Sequence, residues 1–224
     1  MYAERQQGKK AQGTGCGTIA RVAVSAVVFD IGGVLEIIDD SVFPGAWPGR
    51  LGLGTDEFLL RLDGLPGDPV IGEVTETEIQ DHWQQSLDLG DAAATELMED
   101  FWRWYVGTLD EPLFDWFVAR RPALLTGILS NSSPGARKRE AFLGFEQVAD
   151  DIVYSHEVGL KKPDPAIYAL AERRLAVEPE EVVFLDDVTA NVEAALAAGW
   201  HAVRHESTPR SIEALERIIA TEAG

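Results

Sequence analysis

The spacing of apolar positions divides the chain into stretches of different character. From Val22 to Phe29 the sequence is almost continuously apolar and rich in Val. A strand covered by helices on both faces, as in a parallel sheet, reads this way. From residue 39 to 120 the apolar residues recur instead at intervals of three and four. Phe58, Leu59 and Leu62 form one such stripe within Thr55 to Leu62, and Ile79, Trp83 and Leu87 form another within Thr75 to Leu87. Thr75 followed by Glu78 has the form of a capping box. A third helix is predicted over Asp91 to Val106, with Leu97, Phe101, Trp104 and Tyr105 as its stripe. A fourth is predicted over Glu111 to Arg120, with Pro112 in its first turn. No alternating pattern interrupts these helices.

Strand-like runs then return at Leu124 to Leu129, Ile152 to Tyr154, Val182 to Leu185 and Ala202-Val203. Between and after them lie helical stretches from about Pro134 to Leu143, Pro165 to Leu175, Asn191 to Ala198 and Ile212 to Ala220. Gly199 is a natural stop for the third of these. Alternating strand and helix predict an α/β fold with a parallel sheet. The helical block is then an insertion, and the expected division is a core of 23–38 and 121–224 with a helical cap of 39–120. Residues 1–22 are expected to be a disordered extension that is dispensable to the fold.

Composition narrows the function. A formal charge of −19 in 224 residues repels polyanions, so neither a nucleic acid nor an anionic membrane is an expected partner. An anionic substrate would need local cations to hold it. The single cysteine, Cys16, cannot form an internal disulfide; this suits a reducing, cytoplasmic setting and reads as a free thiol. No apolar run approaches the roughly 18 residues that span a bilayer, and Met1 to Gly17 lacks the apolar centre of a secretory signal.

Three apolar runs end in polar residues, at Asp30, at Ser130-Asn131 and at Asp186-Asp187. In a parallel sheet such ends share one edge and converge on one crevice. Carboxylates gathered there repel one another, and a hard divalent cation with oxygen ligands, such as Mg²⁺, relieves that repulsion. Ser130 and Asn131 can donate to a phosphoryl oxygen. Lys162, stiffened by Pro163 and Pro165, can carry one positive charge into the crevice, whereas Lys161 reads as a solvated surface residue.

Together, Phe29-Asp30-Ile31-Gly32-Gly33-Val34-Leu35, Leu129-Ser130-Asn131, Lys162-Pro163-Asp164-Pro165 and Phe184-Leu185-Asp186-Asp187 resemble the four ordered motifs of the haloacid dehalogenase-like superfamily, over about residues 24–204. The place of the helical block is similar to that of the phosphatases with a helical cap after the first motif, near the sugar-phosphatase and epoxide-hydrolase N-terminal-domain branches. The resemblance implies a Rossmann-like three-layer core and a Mg²⁺-dependent phosphatase acting on a small organic phosphate. It implies Asp30 as nucleophile and metal ligand, and Lys162 as the catalytic cation that orients it. Ser130, Asn131 and Gly33 would bind substrate. Asp187, Asp186 and the carbonyl of Gly32 would complete the metal site, and Asn191 falls where relatives often carry a supporting acid. A monomer or homodimer is expected.

The sequence departs from the pattern at Gly32, where many of these phosphatases carry a second Asp as general acid and base. Slow turnover, or an easier leaving group such as an anomeric sugar phosphate, would follow. Asp39, Asp40 and His82 are candidate substitutes, His82 reading more simply as structural. The cluster Trp83, Phe101, Trp102, Trp104, Tyr105, Trp116 and Phe117 is expected chiefly as cap core, with one or two rings facing the pocket. Two other readings are a 2-haloacid dehalogenase, which needs no metal, and a catalytically silent phosphate-binding or regulatory module.

Overall fold

The computed structural model describes residues 23–222. Cys16 and the expected disordered segment 1–22 therefore lie outside the described residues. β1 (Ala26–Phe29) leads through a tight turn to β2 (Glu36–Ile37), after which the chain becomes helical. The helices are α1 (Trp47–Arg50), α2 (Thr55–Asp63), α3 (Glu76–Ser86) and α4 (Asp91–Val106), with a 3-10 turn at Pro69–Ile71 between α2 and α3. Thr75 and Glu78 form the capping box read from the sequence. The chain comes back through β3 (Thr108–Leu109), α5 (Glu111–Val118) and β4 (Leu125–Ser130). There follow α6 (Ala136–Glu140), α7 (Phe145–Val148), β5 (Asp151–Tyr154), α8 (Ser155–Val158) and α9 (Pro165–Leu175). β6 (Val182–Asp186), α10 (Thr189–Ala197), β7 (His201–Arg204) and α11 (Thr208–Glu222) complete it.

Five strands form one parallel sheet in the order β5-β4-β1-β6-β7. Alternate residues of β1 enter different cores, as the two-residue pleat requires. Val27 and Phe29 join one cluster with Leu113, Trp116, Phe117 and Leu215 of α5 and α11. Ala26 and Val28 join the other, with Ile167, Tyr168, Ala171 and Ala195 of α9 and α10. Helices thus cover both faces, giving the three-layer α/β core.

Two features differ from the sequence reading. β2 and β3 pair antiparallel, Glu36 with Leu109 and Ile37 with Thr108, so a short ribbon stands where the chain enters and leaves the helical insertion. Two-residue strands are too short to show alternation. The second difference is α5, read with the insertion but packed on the sheet. Phe117 lies 5.0 Å from the Phe29 ring and Trp116 stacks on it at 5.9 Å. Trp116 Nε1 also donates to Glu216 of α11, and Thr208 donates to Asp110, the N-cap of α5. Trp116 and Phe117 of α5 are therefore sheet core. On α4 the most buried aromatic is Trp102; Trp104 and Tyr105 are only partly buried.

Candidate active site

The sheet order places β4, β1 and β6 side by side, so their polar ends are neighbours. Phe29 is level with Ile128 and Leu185, and Asp30 N donates to the Leu185 carbonyl at 3.0 Å. One carboxylate oxygen from each of Asp30, Asp186 and Asp187 lies within 4.8 Å of the others. Against these acids stands Lys162, buried, with Nζ 2.8 Å from Asp30 Oδ2 and 2.7 Å from Asp186 Oδ2. The second oxygen of Asp30 accepts the Ile31 N–H at 2.8 Å. Burial pushes the Asp30 carboxyl up to about 7; the Lys162 ammonium opposes that rise and Asp186 adds to it.

The remaining sequence candidates take distinct places. Asp186 is fully buried, and its oxygens accept from Lys162 Nζ, the Val188 N–H at 2.8 Å and both-sidedly from Asn191 Nδ2 at 3.1 Å. Asn191 therefore supports Asp186 directly. Asp187 is half-buried, and burial followed by the Asp186 charge raises its carboxyl above the ordinary range. Ser130 is buried at the end of β4 and lines a cavity beside Asp30. Asn131, read as a phosphate donor, has its side-chain amide on Lys162: Nδ2 donates to the Lys162 carbonyl at 2.9 Å and Oδ1 accepts the Lys162 N–H at 2.8 Å. Its side chain anchors the lysine.

Gly33, read with the substrate-binding residues, donates its N–H to the Glu36 carbonyl at 2.8 Å. Its other contribution is space, since a Cβ there would lie 2.7 Å from Asp187 Oδ2, and its φ of +75° is one that glycine tolerates. Gly32 is different: an added Cβ would meet nothing within 4 Å. Lys161 is not merely solvated; it pairs with Asp68 of the insertion at 2.5 Å. His82 meets the Arg61 carbonyl at 3.1 Å inside the insertion, Asp39 accepts from Ser41, and Asp40 accepts from Trp104 Nε1 at 3.2 Å.

A donor set of three carboxylates around one lysine is rich in hard oxygen and short of positive charge, which fits a divalent cation such as Mg²⁺. Sequence reasoning expected one or two aromatic rings at the pocket but missed Glu36 and Glu140 in the wall of the adjoining cavity. Its volume is about 150 Å³, and Ile38, Trp104 and Tyr105 line it together with Glu36 and Glu140. Glu36 is fully buried; burial, then Glu140, then Asp30 push its carboxyl up to about 10. One acid inside the apolar run Val34-Leu35-Glu36-Ile37-Ile38 was the available signal.

The family model described as haloacid dehalogenase-like hydrolase matches residues 24–199. The chain is 31% identical over 190 residues to a protein named phosphatase MT3486 of Mycobacterium tuberculosis, covering 81% of this chain and 87% of that one. It is 25% identical to a D-ribitol-5-phosphate phosphatase of Bacteroides thetaiotaomicron, over 82% of this chain and 93% of that one. A solved enzyme of the same family from that organism, in complex with magnesium and inorganic phosphate, superposes with a TM-score of 0.72 at 19% identity, covering 82% of this chain and 94% of that one.

Proposed function

This chain belongs to the haloacid dehalogenase-like hydrolases, and on that premise we propose that it is a Mg²⁺-dependent phosphatase of small organic phosphate monoesters, sugar phosphates among them. The observation that supports this reading most is the contact of Lys162 with both Asp30 and Asp186 at the acid-lined edge of the sheet. Asp30 is the nucleophile. Lys162 opposes the protonation that burial favours and fixes the direction of the Asp30 carboxylate. Asn131 in turn fixes Lys162, and Ser130 donates to the phosphoryl group. Asp30, Asp187 and the Gly32 carbonyl would hold Mg²⁺, with Asp186 beside them. The bound cation would neutralise charge on the phosphoryl oxygens.

Asp30 attacks phosphorus, the bond from phosphorus to the alcohol oxygen breaks, and an aspartyl-phosphate forms. Water then attacks the same phosphorus and returns the Asp30 carboxylate with release of inorganic phosphate. The departing alkoxide takes its proton from water, since glycine at position 32 has no side chain to give one. A positioned acid contributes about 10²–10⁴ in rate, so turnover is slow or the leaving group is a good one. We also propose that residues 39–107 act as a cap closing over this site. The names of relatives agree with this reading: phosphatases in the two cases above, and phosphorylated carbohydrates phosphatase in a third relative from Thermotoga maritima.

The test is a panel of phosphate monoesters assayed with Mg²⁺ and with EDTA. Hydrolysis is expected only with the metal, and Asp30→Asn is expected to lose it at least a thousandfold while keeping the circular dichroism spectrum. Chelator-resistant phosphate release, or an active Asp30→Asn variant, would exclude the mechanism.

A further inference from the structure

The cavity beside Ser130 contains two carboxyl groups that phosphoryl transfer to Asp30 does not use. Glu36, on β2, is fully buried, and neither of its side-chain oxygens has a hydrogen-bond partner. Glu140, at the end of α6, is 2% exposed; its Oε2 accepts the Tyr154 hydroxyl at 2.5 Å while Oε1 has no partner. Leaving a buried polar atom unpaired costs about 1–3 kcal/mol, and here three such oxygens belong to residues lining one small space. A ligand that donates hydrogen bonds would satisfy them.

The same lining decides the charge of that ligand. It contains two acids and no Lys or Arg. Trp104 and Tyr105, from the end of α4, add aromatic rings to the wall, and an aromatic ring attracts a cation that approaches its face. Two buried carboxyl groups facing one cavity keep protons when it is empty, and a positive group seated between them would replace those protons and stabilise the ionised acids. A volume of about 150 Å³ suits only a short group, well below the ~300–1,000 Å³ of sites for larger ligands.

We propose that this cavity is a subsite for a primary ammonium group on the leaving-group side of the phosphate, so that the preferred substrates are short aminoalkyl phosphates with phosphorus at Asp30 and nitrogen between Glu36 and Glu140. This rests on the phosphatase reading and specifies its substrate class.

The experiment compares 2-aminoethyl phosphate with 2-hydroxyethyl phosphate on the full chain with Mg²⁺. The expected kcat/KM favours the amine at least tenfold, and the preference falls to near unity in Glu36→Gln. Glu140→Gln, which keeps an acceptor for Tyr154, is expected to lower the preference as well and guards against a misfolded first variant. Separately, ethanolamine at tens of millimolar should raise the melting temperature of the unchanged protein at constant ionic strength. It should not do so in Glu36→Gln, and ethylene glycol should have no effect. Equal or better hydrolysis of the hydroxyl ester, or an amine preference that survives both variants, overturns the subsite while leaving the phosphatase standing. Binding of ethanolamine without hydrolysis of either ester supports the subsite and removes the phosphatase.

Discussion

Two adjacent glycines in the first loop have opposite physical demands. Gly33 is needed where it stands, because a side chain would press on the Asp187 carboxylate and its φ is left-handed. Gly32 has open space around it. Gly33→Ala is therefore expected to be destabilising by about 1–2 kcal/mol from backbone strain alone and to lower Mg²⁺ affinity. Gly32→Asp is expected to fold normally and to raise kcat about tenfold or more by supplying the missing acid. Thermal melts and initial rates on one phosphate ester check both. Glu140 carries a pH signature. Burial, its largest cause, raises its carboxyl from the ordinary 4.5 to about 7. The folded chain therefore keeps a proton that the unfolded chain releases above about 4.5, and stability falls as pH rises from there to about 7, then levels. Glu140→Gln removes this slope, so its advantage over the parent should grow across that window to on the order of 3 kcal/mol. Denaturant melts at pH 5, 6, 7 and 8 measure it; an advantage that is constant with pH would refute the assignment.

The elements show what periodicity reveals and what it hides. α4 spans the range its pattern predicted, α9 likewise, and the Thr75 capping box closes as read. Long helices declare themselves through several turns of repeated spacing. The ribbon of β2 and β3 does not, nor do the four-residue helices α1, α7 and α8, because so few residues carry no period. The face of α5 is another limit. Its amphipathic stripe shows that it packs, but not that its partner is Phe29 rather than the insertion. At the site, Asp30, Lys162 and the Asp186-Asp187 pair were legible because each follows a buried strand or sits in a rigid segment. Asn131 was legible as a polar strand end, though its grip on Lys162 depends on a partner 31 residues away. Glu36 escaped notice because its carboxyl lies in a strand too short to be seen, and its meaning comes from Glu140, more than a hundred positions later.

Across the whole molecule, the contacts between the insertion and the core are of unequal weight. The 3-10 turn at Pro69–Ile71 sits on α8, where the Ser155 hydroxyl donates to the Val70 carbonyl at 2.6 Å and accepts the Ser132 N–H at 2.8 Å. Gly72 comes so near that a Cβ would lie 2.1 Å from the His156 carbonyl. Lys161 and Asp68 pair nearby, with side chains 46% and 31% exposed. The buried hydroxyl should matter more than the wetter ion pair. Ser155→Ala is expected to cost about 1–3 kcal/mol and to speed hydrogen exchange at residues 69–73, whereas Lys161→Ala should cost less than about 1 kcal/mol; equal effects from the two would contradict this ranking. The antiparallel ribbon of β2 and β3 has a separate consequence. Because the two strands are hydrogen-bonded neighbours, the segment between them begins and ends at almost one point. The entropy of closing such a loop grows only logarithmically with its length, so closure itself sets little limit on how long a tract is strung between those two posts. Residues could be added or removed within that tract, away from its contacts with the core, while the ends stay fastened side by side.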